Sequence, residues 1–144
     1  MGLSDAEWVE WARAQRAAFE VAPLVELRGS EKLQVGFTLT LYAAVPMELS
    51  AGAERQQAGV RLREELSELA EAAVPEAERR ARVELEPPHT TLLRPENEFK
   101  PEVGLTWRMF HKDEYLKPVT ADDREGLARV EKRLVALGLK HGHW

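Results

Sequence analysis

The feature that most restricts how this chain can fold is an unbroken alternation in its first third. Leu33, Val35, Phe37, Leu39 and Leu41 alternate with Lys32, Gln34, Gly36, Thr38 and Thr40. Successive side chains of a strand point to opposite faces, so such a run builds a sheet with one face on a core and one on something wetter. A helix cannot use this period. Two further segments repeat the pattern. Ala81, Val83 and Leu85 alternate with Arg80, Arg82, Glu84 and Glu86, and Val103, Leu105, Trp107 and Met109 alternate with Gly104, Thr106 and Arg108. Residues 24–28 and 90–94 read as shorter strands. Gly29-Ser30 is placed as a hairpin turn between the first two, with glycine supplying a positive φ.

Three segments carry helical periodicity instead. The first is expected over residues 5–20, with Ser4 and Glu7 as a capping box and Leu3 and Trp8 as its hydrophobic staple. Its apolar stripe is Trp8, Trp11, Ala12, Ala18 and Phe19, and Pro23 ends the pattern. The second, over residues 53–73, has Ala58, Leu62, Leu66, Leu69 and Ala73 on one stripe. Val60 falls off it. The third starts at Thr120 with Asp123 as box partner and carries Leu127, Val130, Leu134 and Leu137. Gly138 is set to end it in a left-handed turn, with Leu139 against Leu134. The expected fold class is α+β in a single domain over residues 1–144. It is a largely antiparallel sheet of about five strands with three amphipathic helices, in the order α-β-β-α-β-β-β-α.

Composition narrows the setting. There is no cysteine, which removes disulfide and thiolate chemistry and suits a reducing cytoplasm. No apolar run approaches the roughly 20 residues of a membrane span, and the start lacks the basic and apolar regions of a signal peptide. The expectation is a soluble cytoplasmic protein that does not engage membrane. A net charge of −5 argues against general nucleic-acid binding. Isoleucine is absent and Asn97 is the only asparagine, a usage that suits a GC-rich bacterial genome and a thermophile.

Three groups of residues carry candidate chemistry. His89-Thr90-Thr91-Leu92 resembles the His-x-Thr-hydrophobic motif of the two-histidine phosphoesterases. The resemblance implies His89 as a general acid or base on a cyclic phosphate ester and Thr91 as a phosphate contact. That family uses two such motifs facing each other. This chain has one, since His111, His141 and His143 are not followed by Ser or Thr two residues on. His141-Gly142-His143 is a His-x-His pair of the kind that can share a metal when extended. No third ligand has a telling spacing, so no metal or other cofactor is expected. Tyr42, Arg80, Arg82 and Arg108 are expected on the wetter sheet face with Thr38 and Thr40, where they could serve a binding surface. Glu84 and Glu86 would temper its charge.

The leading expectation is a non-catalytic binding or interaction domain that self-associates as a homodimer through this polar sheet face, its ligand unknown. One alternative is a small-molecule carrier whose sheet curves round the last helix, with Phe37, Trp107, Met109 and Phe110 lining an apolar cavity. The other is a phosphoesterase built on His89 and Thr91.

Overall fold

The computed structural model describes residues 2–44, 53–74, 84–85, 89–93, 102–110 and 117–142. In chain order the elements are α1 (Asp5–Ala14), β1 (Ala18–Arg28), β2 (Glu31–Ala44), α2 (Ala53–Ala73), β3 (Glu84–Leu85), β4 (His89–Leu93), β5 (Glu102–Phe110), α3 (Ala121–Ala136) and β6 (Lys140–His141). Among the described residues the class is α+β with three helices and a mixed sheet. The sheet runs β3-β5-β2-β1-β6, and β4 pairs with β5 as well. Glu84 and Leu85 lie opposite Phe110 and Met109, and His89–Leu93 lie opposite Thr106 to Glu102. The two short strands therefore follow one side of β5 in succession. Between them stand Pro87 and Pro88, which cannot donate to a ladder. No helix among the described residues is long and apolar enough to cross a membrane.

β2 is the centre of the sheet, paired with β1 on one side and β5 on the other, both antiparallel. Its odd positions Val35, Phe37, Leu39, Leu41 and Ala43 are all buried. Register carries this row across the sheet: Phe37 opposite Met109, Leu39 opposite Trp107, Leu41 opposite both Leu105 and Phe19. The same core cluster takes Trp8 and Ala12 from α1, the expected stripe of α2, and Leu127, Val130 and Leu134 from α3. One face of the sheet thus holds the three described helices. Val60 is exposed on α2.

Two expectations needed correction. α1 stops at Ala14, so Ala18 and Phe19 belong to β1, where they pair with Tyr42 and Leu41. The end is a Schellman turn. Ala17 N–H bonds back to Ala12 C=O at 2.8 Å and Arg16 N–H to Arg13 C=O at 3.3 Å, with Arg16 left-handed at φ 49°. Glycine usually takes that position, and arginine gave no signal of it. β1 then runs through Pro23, which was expected to separate helix from strand. Phe19 C=O accepts from Gly142 N–H, so odd residues of β1 direct their backbone groups away from β2. Pro23 falls in that phase, and its missing N–H costs no bond to β2.

The second correction is the additional strand β6, which makes the sheet mixed. α3 ends as expected: Leu139 N–H bonds to Leu134 C=O at 3.1 Å, Gly138 N–H to Val135 C=O at 3.0 Å, and Gly138 has φ 97°. The turn delivers Lys140 and His141 parallel to Ala18 and Phe19. A Cβ on Gly138 would lie 3.0 Å from Val9 Cα, so the α3 exit packs directly on the α1 backbone. The expected hairpin is present, with Arg28 opposite Glu31 and Gly29 at φ 63°.

The caps also match expectation. Ser4 and Glu7 bond reciprocally at 3.0 and 3.2 Å, and Thr120 and Asp123 at 2.9 and 3.2 Å. Trp11 Nε1 donates to the Glu65 carboxylate, which also meets Arg61 at 3.5 Å, linking α1 to α2. Arg133 on α3 grips Asp5 on α1 with two bonds of 2.8 and 3.0 Å.

Two predictions follow from this packing. Phe37 is 5 % exposed, and Phe37→Ala should lower stability by roughly 3–5 kcal/mol in denaturant unfolding. An unchanged curve would show that the wrong face of β2 has been turned inward. The second concerns acid. The hydrogen bond from Arg133 holds the Asp5 carboxyl below its ordinary 3.8. A lowered folded value stabilises above the unfolded pKa and is lost as pH falls through the folded one. Asp5→Asn should therefore lower Tm modestly at neutral pH, and the gap to wild type should close as pH drops below 3.8. A gap that widens in acid would contradict the fork.

Candidate functional site

The face of the sheet opposite the helices is built by the even positions of β2. Thr38, Thr40 and Tyr42 lie there, flanked by Ala22, Glu20 and Ala18 on β1 and by Arg108, Thr106 and Gly104 on β5. The alternation that buries Phe37 and Leu39 places these residues, because each strand has only two faces. The Thr40 and Thr106 hydroxyls are 2.9 Å apart and bond across the strands. Tyr42 O–H donates to Glu20 Oε2 at 3.1 Å. Thr38 Oγ1 lies 3.5 Å from Ala22 C=O, at the outer limit of a hydrogen bond. Thr38, Thr40 and Thr106 are half-buried, and Arg108 and Ala22 are exposed.

Tyr42 does not serve as the exposed aromatic of this face. It shares the expected phase but is 7 % exposed, with its hydroxyl engaged by Glu20. A tyrosine with its ring buried and its O–H satisfied is a packing residue. Arg108 is exposed on the strand where it was expected. Arg80, Arg82 and Glu86 lie outside the described residues, and Glu84 is in β3 opposite Phe110. Glu20 joins the face unannounced by the sequence reading, which had it inside the first helix. The signal that could have found it is the alternation Phe19, Val21, Pro23 continuing from the strand.

His89 and Thr91 are in β4, opposite Thr106 and Gly104 respectively. Register then gives a row His89–Thr106–Thr40–Glu20 across four strands. Strands are spaced about 4.8 Å apart, so Glu20 stands roughly 14 Å from His89 along the row. An acid and a base that act on one phosphoryl centre must both come within hydrogen-bond reach of it. Glu20 is too distant to replace a second histidine. Thr106, opposite His89 on β5, carries a hydroxyl and Arg108 beyond it a guanidinium, groups suited to contact an anion.

His141 is engaged elsewhere. Its ring stacks on Phe19 at 4.7 Å with planes 3° apart, and Nε2 is 3.6 Å from Glu131 Oε2. Phe19 is fully buried, so His141 acts as a lid on the edge of the core beneath α3. His143 lies outside the described residues. Among the described residues no three His, Cys, Asp or Glu side chains are grouped to hold a metal ion. Of the residues expected around an apolar cavity, Phe37, Trp107 and Met109 lie in the core cluster with the helices. Phe110 follows Met109 in a regular strand and pairs with Gly36, so the four do not share one row.

The sequence matches no family model and no curated protein, and the fold matches no solved structure.

We expect no turnover of 2′,3′-cyclic nucleotide phosphates by the purified protein, and no difference with His89→Ala. Hydrolysis that disappears in His89→Ala would instead establish a phosphoesterase and require an acid or base from outside the described residues.

Proposed function

We propose that this chain is a non-catalytic interaction domain that self-associates through the sheet face that carries none of the described helices. The observation that carries the reading is the one-sidedness of the packing. The three described helices share one core on one side of β2, and the described residues of the other side include Ala22, Thr38, Thr106 and Arg108. Such a face is polar enough for water, yet short hydroxyl side chains pack closely against a like surface.

Charge placement favours a second copy as the occupant. Arg108 is on β5 and Glu20 on β1, on opposite sides of β2. A two-fold axis along β2 sets β5 of one copy over β1 of the other. Arg108 then comes over Ala22 and beside Glu20 of the second copy, and symmetry repeats the contact. Short hydroxyls and one arginine, rather than a described acid–base pair, make up this part of the face, a chemistry suited to recognition.

Sedimentation tests the proposal. Tyr42 is already buried within one chain and cannot report on the interface, so Thr38 is the better probe. Thr38→Arg sets a like charge beside Arg108 on a half-buried site and should lower the association state while Tm stays near wild type. The reading fails if the wild type is a monomer at tens of micromolar, or if Thr38→Arg leaves its association unchanged.

A further inference from the structure

β1 keeps an apolar stripe well past the point where the core can cover it. Phe19, Val21, Pro23, Val25 and Leu27 occupy its odd positions. Phe19 is fully buried and Val21 partly buried, but Val25 is 45 % and Leu27 67 % exposed. The change comes at a bulge. Leu24 lies opposite Gly36 and Val25 opposite Gln34, so Val35 is the extra residue and lies on β2. β1 runs on without interruption, whereas β2 now sets Gln34 and Lys32 opposite Val25 and Leu27. Gln34 meets Arg124 of α3 at 3.4 Å, which fixes this as the helix side of the hairpin. The stripe therefore leaves the core on the helix side and continues into solvent.

The edge of the same strand is open. β6 covers only Ala18 and Phe19, and no described strand pairs with the outer side of Glu20–Arg28. Val21, Val25 and Leu27 share the phase of Phe19, whose C=O is turned outward to Gly142. Their backbone N–H and C=O groups point to that open side. Pro23 shares the phase but offers only its C=O.

We infer that this edge pairs with the same edge of a second copy of the chain, antiparallel, about a two-fold axis at Leu24. The segment is self-complementary in that register. Val21 meets Leu27 and Pro23 meets Val25 on the helix side, which joins the two exposed stripes. On the other side Leu24 meets Leu24, Ala22 meets Glu26, and Glu20 meets Arg28. On the helix side apolar residues face apolar residues, on the other side Leu24 faces Leu24 and only Ala22 faces a charge, and the end charges are opposite. Pro23 removes one bond from its pair but leaves the Val25 N–H of the second copy a carbonyl to bond. This contact pairs backbone edges about a different axis, shares only Ala22 and Glu20 with the sheet-face contact, and does not rest on it.

The absence of cysteine supplies a direct test. In this register Leu24 and its symmetry mate form a non-hydrogen-bonded pair with Cα atoms about 4.5 Å apart, within the range a disulfide spans. Under mild oxidation Leu24→Cys should become a covalent dimer at least tenfold faster than Val60→Cys, a control on an exposed position of α2. Cross-linking should persist in a Thr38→Arg background, which separates this contact from the sheet-face one. It should fall to the control rate when Leu27→Lys is added, a change at a largely exposed position that leaves the fold intact. Cross-linking at the control rate in folded Leu24→Cys protein overturns the inference, as does insensitivity to Leu27→Lys or loss in Thr38→Arg. Should Leu24→Cys fail to fold, Leu27→Lys in the Thr38→Arg background decides by sedimentation: a shift from dimer to monomer supports the edge contact, and no shift overturns it.

Discussion

The rest of the fold depends on burying one face of β2. Its partners on both sides satisfy its backbone, and its odd side chains form the middle of the core row from Phe19 through Leu41 to Leu105. A fully buried leucine or phenylalanine contributes about 1.5–3 kcal/mol, so a strand carrying Phe37, Leu39 and Leu41 strongly prefers cover on that side. The three described helices supply it. Each has one apolar stripe and turns it to this side, so among the described residues no helix stripe is left for the other face.

The helices are held to that face by two similar exits. α1 and α3 both end in Schellman turns, and the chain beyond each runs into the sheet, as β1 and β6 side by side. Parallel neighbours need their preceding elements to arrive from the same side, and the two helices do. Gly138 permits the close crossing on Val9, and Asp5–Arg133 ties the helices further along. His141 closes the row by stacking on Phe19. A histidine that looked like half of a metal pair is here stacked on a ring of the core.

What could be read from the sequence follows the strength of each local signal. Alternation in β2 and β5, the stripe of α2, both capping boxes and the Gly138 ending all correspond to interactions within a few residues, and each is where it was expected. The end of α1 was hidden because Arg16 adopts a conformation that its side chain disfavours, and because Ala18 and Phe19 continue a plausible helical stripe. β6 was hidden because two residues carry no period; only the turn before it and Ala17–Phe19 beside it create the strand. Tyr42 was legible as to face but not as to burial, which depends on contacts across the sheet. For the candidate site, the phase of Thr38, Thr40 and Arg108 was legible, whereas the membership of Glu20 required the correct end of α1.

The single-residue bulge at Val35 links core and surface. Before it, apolar residues of β1 and β2 face the same way and are covered together. After it, the two strands fall out of phase, and each face of the hairpin tip mixes apolar and polar residues. A tip in phase would have set Val25 and Leu27 beside Leu33 in one continuous apolar patch. The bulge breaks up that patch within the hairpin and leaves β1 alone carrying an exposed stripe. A stripe on one strand, at an edge blunted by a single proline, lies beside unpaired backbone groups that an extended segment can bond. The edge pairing inferred above would answer both features at once, since an antiparallel second β1 would cover the stripe and take up the open backbone groups.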